Sequence, residues 1–245
     1  MAETIYTIPI NEAFEAAIDS EAPECPFCKL FTKLENNELE LILGASMMEP
    51  DIRIQTNKKG FCKNHFSKML TRGNRLPMGL ILESHLAEVC SEMYQKSIMG
   101  SPADKFLKRA TELGSTCYVC DRVANNFTHL IENAVYMYET DEAFREKYKN
   151  QKMICLEHYT LLLQRAKYVM GKKDYANFYT ETSPITRNYF ESLCEDVSWF
   201  CKKFDYRYEN EPWGDAKDAP ERAKLFLGGT LHVHEDTKKP SGGLT

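Results

Sequence analysis

Two cysteine-containing motifs alternate along the chain and constrain its fold more than any other feature. A CxxC motif at residues 25–28 is followed, after 33 intervening residues, by a CxxH motif at residues 62–65. The same order recurs with a CxxC motif at residues 117–120 and, after 34 intervening residues, a CxxH motif at residues 155–158. Thiolates and imidazoles at such spacings are typical of zinc sites. The chain is therefore expected to fold around metal ions.

The similarity between the two halves extends beyond the cysteines. Glu40 and Glu132 are 92 residues apart, and so are Arg53 and Arg145. A period of this length indicates a duplicated unit rather than a short solenoid repeat. We therefore predict one metal-binding helical unit at residues 1–114, a second at residues 115–229, and a flexible tail at residues 230–245.

Apolar residues recur at helical spacing in both halves, and each cysteine motif lies at the start of such a segment. A last long helix is expected to begin at Ser183 and Pro184, because serine followed by proline is a typical helix start. These patterns predict a mainly α fold. It consists of two duplicated zinc-knuckle and helical units, packed with further C-terminal helices.

Zinc takes four soft or borderline ligands, often three cysteines and one histidine. The simplest pairing places both motifs of one half around one ion. It predicts two Zn2+ per chain, held by Cys25, Cys28, Cys62 and His65 and by Cys117, Cys120, Cys155 and His158. An exchange of motifs between the halves stays open, for example with the 25–28 pair joining the 155–158 pair. An iron–sulfur cluster is the less favoured cofactor, because histidine ligands are less usual there.

Four protein ligands close the coordination shell of zinc, whereas catalytic zinc usually keeps one position open. The ligand pattern thus favours structural sites. The chain has no GxGxxG, P-loop, GxSxG or HExxH motif. We expect a binding, adaptor or regulatory module rather than an enzyme. The alternative is a thiol- or metal-dependent enzyme, or a redox sensor, that uses one of the cysteine sites.

Composition excludes several other classes of protein. No stretch of the chain approaches the 18 uncharged apolar residues of a membrane-spanning helix. The acidic N-terminal segment lacks the apolar core of a signal peptide, so a cytoplasmic location is expected. Thiols stay reduced in that compartment. The nine cysteines therefore suggest metal ligands or reactive thiols before disulfides.

Charge is patterned along the chain. Residues 58–75 contain six basic and no acidic side chains, and residues 145–173 contain eight basic and two acidic ones. Basic helices of this kind can contact phosphate. The whole chain carries a net charge of -5, however, and has a pI near 5.8, which argues against a dedicated nucleic-acid binder. A protein partner is favoured, with nucleic acid as the lesser alternative.

The remaining cysteines are expected in the core. Cys90 falls on an apolar helical stripe, and free cysteine is among the most buried residue types. Cys194 and Cys201 lie about 10.5 Å apart along one helix axis, too far for a disulfide or a shared metal. His232 and His234 lie in the predicted tail, where metal binding would be adventitious.

Several ordered blocks of the sequence resemble an uncharacterised bacterial protein family. The blocks are residues 6–14, the CPFC at 25–28, EPDIRIQTNKKGFCKNHF at 49–66, NRLPMGLILESHL at 74–86 and KFDYRYENEPWGDAKDAPERA at 203–223. The likeness covers nearly the whole chain. The family has no established activity, so the resemblance implies that the motifs form one coherent pattern and implies no mechanism.

Overall fold

A computed structural model describes residues 7–73, 75–94 and 101–229 of the chain. Within these ranges the chain forms helices and no strand, which confirms the predicted mainly α fold. The predicted tail at residues 230–245, with His232 and His234, lies outside the described residues. The helices are α1 (Thr7–Ile18), α2 (Pro26–Leu43), α3 (Pro50–Lys59), α4 (Lys63–Thr71), α5 (Arg75–Tyr94), α6 (Pro102–Ser115), α7 (Tyr118–Thr140), α8 (Glu142–Lys149), α9 (Leu156–Val169), α10 (Lys172–Lys202) and α11 (Ala219–Gly228).

The described residues divide into two compact units that do not follow sequence order. The first unit comprises residues 7–33 and 127–229, and the second unit comprises residues 34–126. These boundaries differ from the division between residues 114 and 115 that the sequence repeat suggested. The chain passes from one unit to the other inside α2 and again inside α7, so each of these helices contributes to both units.

Aromatic side chains fill the core of the first unit. The Phe14 ring of α1 lies 5.3 Å from Phe27 of α2 and 4.9 Å from Phe144 of α8. Tyr148 of α8 extends the cluster, at 5.6 Å from Phe14 and 5.3 Å from Tyr138 of α7. Such ring pairs add about 0.5–1.5 kcal/mol each beyond the area they bury. Because Phe27 lies inside the first CxxC motif, this core also holds that motif in place.

The long helix α10 contains a proline in its interior. The sequence predicts a helix start at Ser183 and Pro184, but the helix begins one residue after Gly171 and Pro184 lies in its interior. An interior proline costs about 3 kcal/mol. Buried contacts on both sides offset this cost: before the proline the Thr182 hydroxyl lies 3.0 Å from the Tyr159 hydroxyl, and after it the Thr186 hydroxyl donates to the Ile154 carbonyl at 3.4 Å. The predicted helix start is therefore wrong, because tertiary packing outweighs the local signal.

A buried polar network organises the second unit. Helix α5 packs against both α3 and α6. Arg109 of α6 donates to the carbonyl oxygens of Asn57 at 3.2 Å and Lys58 at 2.8 Å. His85 Nδ1 of α5 lies 2.9 Å from the same Asn57 carbonyl. The last carbonyls of a helix lack donors of their own, so Arg109 and His85 stabilise the end of α3 just before the second motif.

A buried lysine closes the loop after α10. The Lys203 ammonium donates to the carbonyl oxygens of Tyr208, Glu209 and Glu211 at 2.6, 2.9 and 2.6 Å. It also lies 5.4 Å from the centre of the Trp213 ring. This one cation therefore satisfies three backbone acceptors of the loop and fastens it to the end of α10.

The substitution Lys203→Met is expected to lower the free energy of unfolding by about 2 kcal/mol, because it removes charge-assisted hydrogen bonds and leaves their acceptors unpaired. Urea unfolding monitored by tryptophan fluorescence measures the change. Lys202→Met, at the exposed neighbouring position, is the matched control and is expected to change stability little. Equal losses in the two variants would contradict the role assigned to Lys203.

Candidate metal centres

The eight candidate ligands lie in two clusters, each with three cysteines and one histidine. In each cluster the four ligand atoms all lie within 4.8 Å of one another, so each could hold a metal ion. We name them centre A, which contains Cys25, Cys28, Cys155 and His158, and centre B, which contains Cys62, His65, Cys117 and Cys120. Centre A lies in the first unit and centre B in the second. The pairing of motifs within each half is therefore wrong, and the exchanged pairing is the one that the structure adopts.

A short paired segment explains the exchange at centre B. The Tyr118 backbone N–H donates to the Gly60 carbonyl at 3.0 Å, and the Thr116 hydroxyl donates to the Lys59 carbonyl at 2.7 Å. Gly60 has a φ of 62°, a conformation that favours glycine and turns the chain out of α3. These contacts hold the residues before the 62–65 motif beside the start of the 117–120 motif. This local pairing, rather than the number of residues between the motifs, therefore determines which two motifs form centre B.

Contacts to α1 and its following loop act in the same way at centre A. The Gln151 side-chain amide donates to the Phe14 carbonyl at 3.1 Å, and the Lys152 ammonium donates to the Ser20 carbonyl at 2.5 Å. Both donors lie just before the 155–158 motif. Of the acceptors, Ser20 lies in the loop before the 25–28 motif, and Phe14 lies in α1, where its ring packs against Phe27 of that motif. The segments that lead into the two motifs are thus joined.

Helix N-termini converge at each centre. At centre A, α2 begins inside the CxxC motif and α9 begins directly after its N-cap Cys155. At centre B, α7 begins after Cys117 and α4 begins directly after its N-cap Cys62. A helix N-terminus carries partial positive charge, which stabilises thiolates. Each group of three cysteines therefore faces two such ends.

Centre A is compact and largely buried. His158 Nδ1 lies 3.2 Å from Cys155 Sγ, 3.3 Å from Cys28 Sγ and 3.7 Å from Cys25 Sγ. The Sγ atoms of Cys28 and Cys155 are 3.7 Å apart. Only Cys28 is half-buried, while the other three ligand residues are buried.

The outer side of the His158 ring is apolar. Its centroid lies 5.2 Å from Phe127, 6.2 Å from Phe27 and 6.5 Å from Phe31. The Nε2 atom is buried and has no hydrogen-bond partner among the residues that the structure describes. Packing against phenylalanine rings, rather than a hydrogen bond, therefore fixes the orientation of this imidazole.

Centre B has the same ligand geometry with more exposed thiols. His65 Nδ1 lies 3.2 Å from both Cys62 Sγ and Cys117 Sγ and 3.4 Å from Cys120 Sγ. The Sγ atoms of Cys62 and Cys120 are 3.8 Å apart. Cys62 and Cys120 are half-buried, whereas Cys117 and His65 are buried.

A carboxylate supports the histidine of centre B. His65 Nε2 lies 3.0 Å from Glu35 Oε1, and the Lys68 ammonium lies 2.5 Å from Glu35 Oε2. Burial raises the pKa of the Glu35 carboxyl, but His65 and Lys68 together lower it to about 2. Glu35 is therefore an ionised, buried acceptor behind the imidazole.

Hydrogen bonds between thiols lower the pKa of one thiol in each centre. Bonds from Cys155 and Cys25 hold the pKa of Cys28 far below its usual range. A bond from Cys120 lowers the pKa of Cys117 to about 3, against the opposing effect of burial. The thiolate is the form that binds metal. Burial raises the pKa of Cys25, and the hydrogen bond with Cys117 raises that of Cys120. Each centre therefore contains one thiolate ready to bind a cation, beside a thiol that would release a proton on binding it.

Glu35 and Lys68 were not among the residues predicted from the sequence. A signal for them existed: Lys68 lies three residues after His65, on the same face of α4, and Glu35 follows Cys28 by seven residues, or two turns, along α2.

The expectation that the other cysteines lie in the core is wrong, since Cys90, Cys194 and Cys201 are all exposed. Their helices turn other faces toward the core, which periodicity alone could not decide.

The end of α11 packs against centre A. Gly229 has a φ of 53°, and a Cβ atom there would lie 3.3 Å from Glu157 Cβ and 3.4 Å from Cys155 Sγ. The substitution Gly229→Ala is therefore expected to lower the free energy of unfolding by about 1–2 kcal/mol, from backbone strain and crowding. Gly228→Ala is the control, because a Cβ there meets no atom within 4 Å. Denaturant titrations of both variants, monitored by tryptophan fluorescence, test this, and a destabilised Gly228→Ala would contradict the steric explanation.

Among the helices that the structure describes, none combines the length and apolar character needed to cross a membrane. No curated protein and no solved structure is significantly similar to the chain. One protein family matches along residues 1–234, and its description is "Family of unknown function (DUF6062)". The expected resemblance to an uncharacterised family is thereby confirmed, and the chain belongs to this family of unknown function.

Proposed function

We propose that each centre binds one zinc ion and that the protein is a zinc-stabilised binding or regulatory module. The spacing of the ligand atoms carries this proposal. Tetrahedral zinc, with bonds of about 2.3 Å to sulfur and about 2.0–2.1 Å to nitrogen, requires sulfur–sulfur separations of about 3.8 Å and sulfur–nitrogen separations of about 3.6 Å. The Cys28–Cys155 and Cys62–Cys120 sulfurs are 3.7 and 3.8 Å apart, and the sulfur–nitrogen separations are 3.2–3.7 Å. All four ligand atoms of each centre lie within 4.8 Å of one another.

The compactness of the centres favours a single ion over an iron–sulfur cluster. A cluster binds its cysteines to different iron atoms, which spreads the ligand atoms apart. In both centres all four ligand atoms instead lie within 4.8 Å of one another. A mononuclear site is the better match for this arrangement.

A structural role follows from the ligand count. Three thiolates and one imidazole fill a tetrahedral shell and leave no position for a substrate. A structural zinc ion supplies about 10–16 kcal/mol to a small zinc-dependent fold. Each proposed ion joins motifs that are more than 50 residues apart in sequence, so its removal is expected to release a large part of one unit.

Two further proposals concern the origin of the centres and their location. The two centres use the same ligand set and the same kinds of helix start, which supports an internal duplication with exchanged motifs. A reducing compartment such as the cytoplasm would keep the ligand thiols available for metal.

The charge pairing supports a protein partner over nucleic acid. Many bases of the two basic segments already contact acidic or backbone oxygens, which leaves fewer of them for phosphate. Examples are Lys59 with Asp121, Lys68 with Glu35, Arg72 with Glu40, Arg145 with the Tyr138 carbonyl, Lys147 with Glu15 and Arg165 with Glu132.

The first test is metal content by plasma mass spectrometry on untagged protein purified without oxygen. About two zinc ions per chain are expected. Cys28→Ser and Cys120→Ser should each retain about one ion, because each removes a ligand from one centre only. Cys194→Ser, which alters an exposed cysteine outside both centres, should retain two. Protein without bound metal, or with unchanged helical circular dichroism and melting after complete chelation, would refute structural zinc.

Thiol-based redox sensing is a second candidate function. It is favoured by one feature of centre B, where the half-buried Cys62 and Cys120 have Sγ atoms only 3.8 Å apart. The same metal measurement separates the two functions. Substantial iron, or one zinc ion with one set of freely alkylated thiols even after incubation with excess zinc, would favour a redox or enzymatic role over a structural one.

A further inference from the structure

The two centres have matching ligands but different surroundings. In centre B, His65 Nε2 faces the Glu35 carboxylate at 3.0 Å. In centre A, His158 Nε2 faces phenylalanine rings and has no hydrogen-bond partner within the described residues. Glu35 and Phe127 are equivalent positions in the two halves, because they are 92 residues apart, as are the other matching residues of the repeat. A phenylalanine thus occupies the position of the supporting carboxylate.

This difference matters for metal binding. When histidine binds a metal through Nδ1, the proton of the neutral ring is on Nε2. A carboxylate that accepts this proton in a hydrogen bond fixes the ring and makes Nδ1 a stronger ligand, and loss of such a partner typically costs 10–100-fold in metal affinity. In centre A the same N–H is buried without an acceptor, which weakens the bound form further.

On the basis of the zinc binding proposed above, we propose that Glu35 is a positioning residue that makes the two centres unequal. Centre B retains its zinc ion more tightly, and centre A is the centre that gives up zinc first. The chain then carries one permanent and one exchangeable ion. Lys68 completes the arrangement, because its ammonium neutralises the carboxylate that would otherwise add charge beside three thiolates.

The exchangeable centre is connected to the C-terminal helix. Gly229, at the end of α11, lies against Cys155 of centre A. Loss of zinc from centre A would free the Cys155 sulfur, which lies beside this end of the helix. A fall in available zinc would therefore change the conformation of α11 and of the loop before it, which contains Trp213.

A competition titration of the fully zinc-loaded protein with a chromogenic chelator tests the order of release. Two steps are expected, with affinities at least 10-fold apart. After the first equivalent has been removed, alkylation and peptide mass spectrometry should label Cys25, Cys28 and Cys155 ahead of the centre B cysteines. The exposed Cys90, Cys194 and Cys201 serve as internal standards for full labelling. Both tryptophans, Trp199 and Trp213, belong to the unit that contains centre A, so fluorescence should change in this first step.

The variant Glu35→Gln tests whether Glu35 causes the difference in zinc affinity between the two centres. The zinc affinity of centre B is expected to fall 10–100-fold, while that of centre A is unchanged. The two zinc-release steps should therefore occur at more similar chelator concentrations. Glu35→Asp, which keeps the charge, should restore part of the separation. Glu38→Gln is the matched control: Glu38 is a buried carboxylate on the same helix that pairs with Arg122 and touches no ligand, and its loss should leave both steps in place.

Several outcomes would overturn the inference. Release of both ions in one step, first labelling of the centre B cysteines, or equal effects of Glu35→Gln and Glu38→Gln would each do so. The wild-type titration decides the order of release even if a variant folds poorly. A protein that cannot be loaded with two zinc ions even in excess zinc would instead refute the proposed function, so the two failures are distinguishable.

Discussion

The fold depends on bringing three cysteine thiols and one histidine into contact at each of two points. The participating motifs are far apart in sequence, and each lies at the N-terminus of a helix. Thiolates so close together repel one another, so the arrangement is favourable only with compensating positive charge. The ends of two helices supply part of this charge, and the proposed zinc ion supplies the rest. The aromatic core of the first unit and the polar network of the second hold the segments that lead into these points.

The surroundings of the two centres show how one ligand set can serve two purposes. Apolar packing orients the histidine of centre A, and an ionised carboxylate orients that of centre B. Packing restricts the ring without adding electron density at its metal-binding nitrogen, whereas a carboxylate does both. In the proposed scheme, duplication of a metal unit followed by a change at a single supporting position would separate the zinc affinities of the two centres. The distinction therefore lies outside the ligands themselves.

With zinc bound as proposed, the centres would suit a protein that binds rather than transforms its partner. Each proposed zinc ion would have four protein ligands and no open position. Much of the basic charge near the centres contacts neighbouring carboxylates and carbonyls. A partner would then contact the helical surface that the proposed zinc ions stabilise. Binding of this partner would depend on zinc occupancy, because loss of zinc is expected to unfold part of that surface.

The sequence by itself determined the helical class, the eight candidate ligands and the membership of an uncharacterised family. Helical periodicity and motif spacing are local properties, so they can be read without a structure. The pairing of motifs could not be read, because the segments between them are long enough to close either way. Contacts such as that of Tyr118 with Gly60 decided it. Tertiary packing also keeps α10 helical at Pro184. It leaves Cys90, Cys194 and Cys201 exposed, since burial depends on which helix faces pack together. The support of His65 by Glu35 likewise exists only once α2 and α4 lie together.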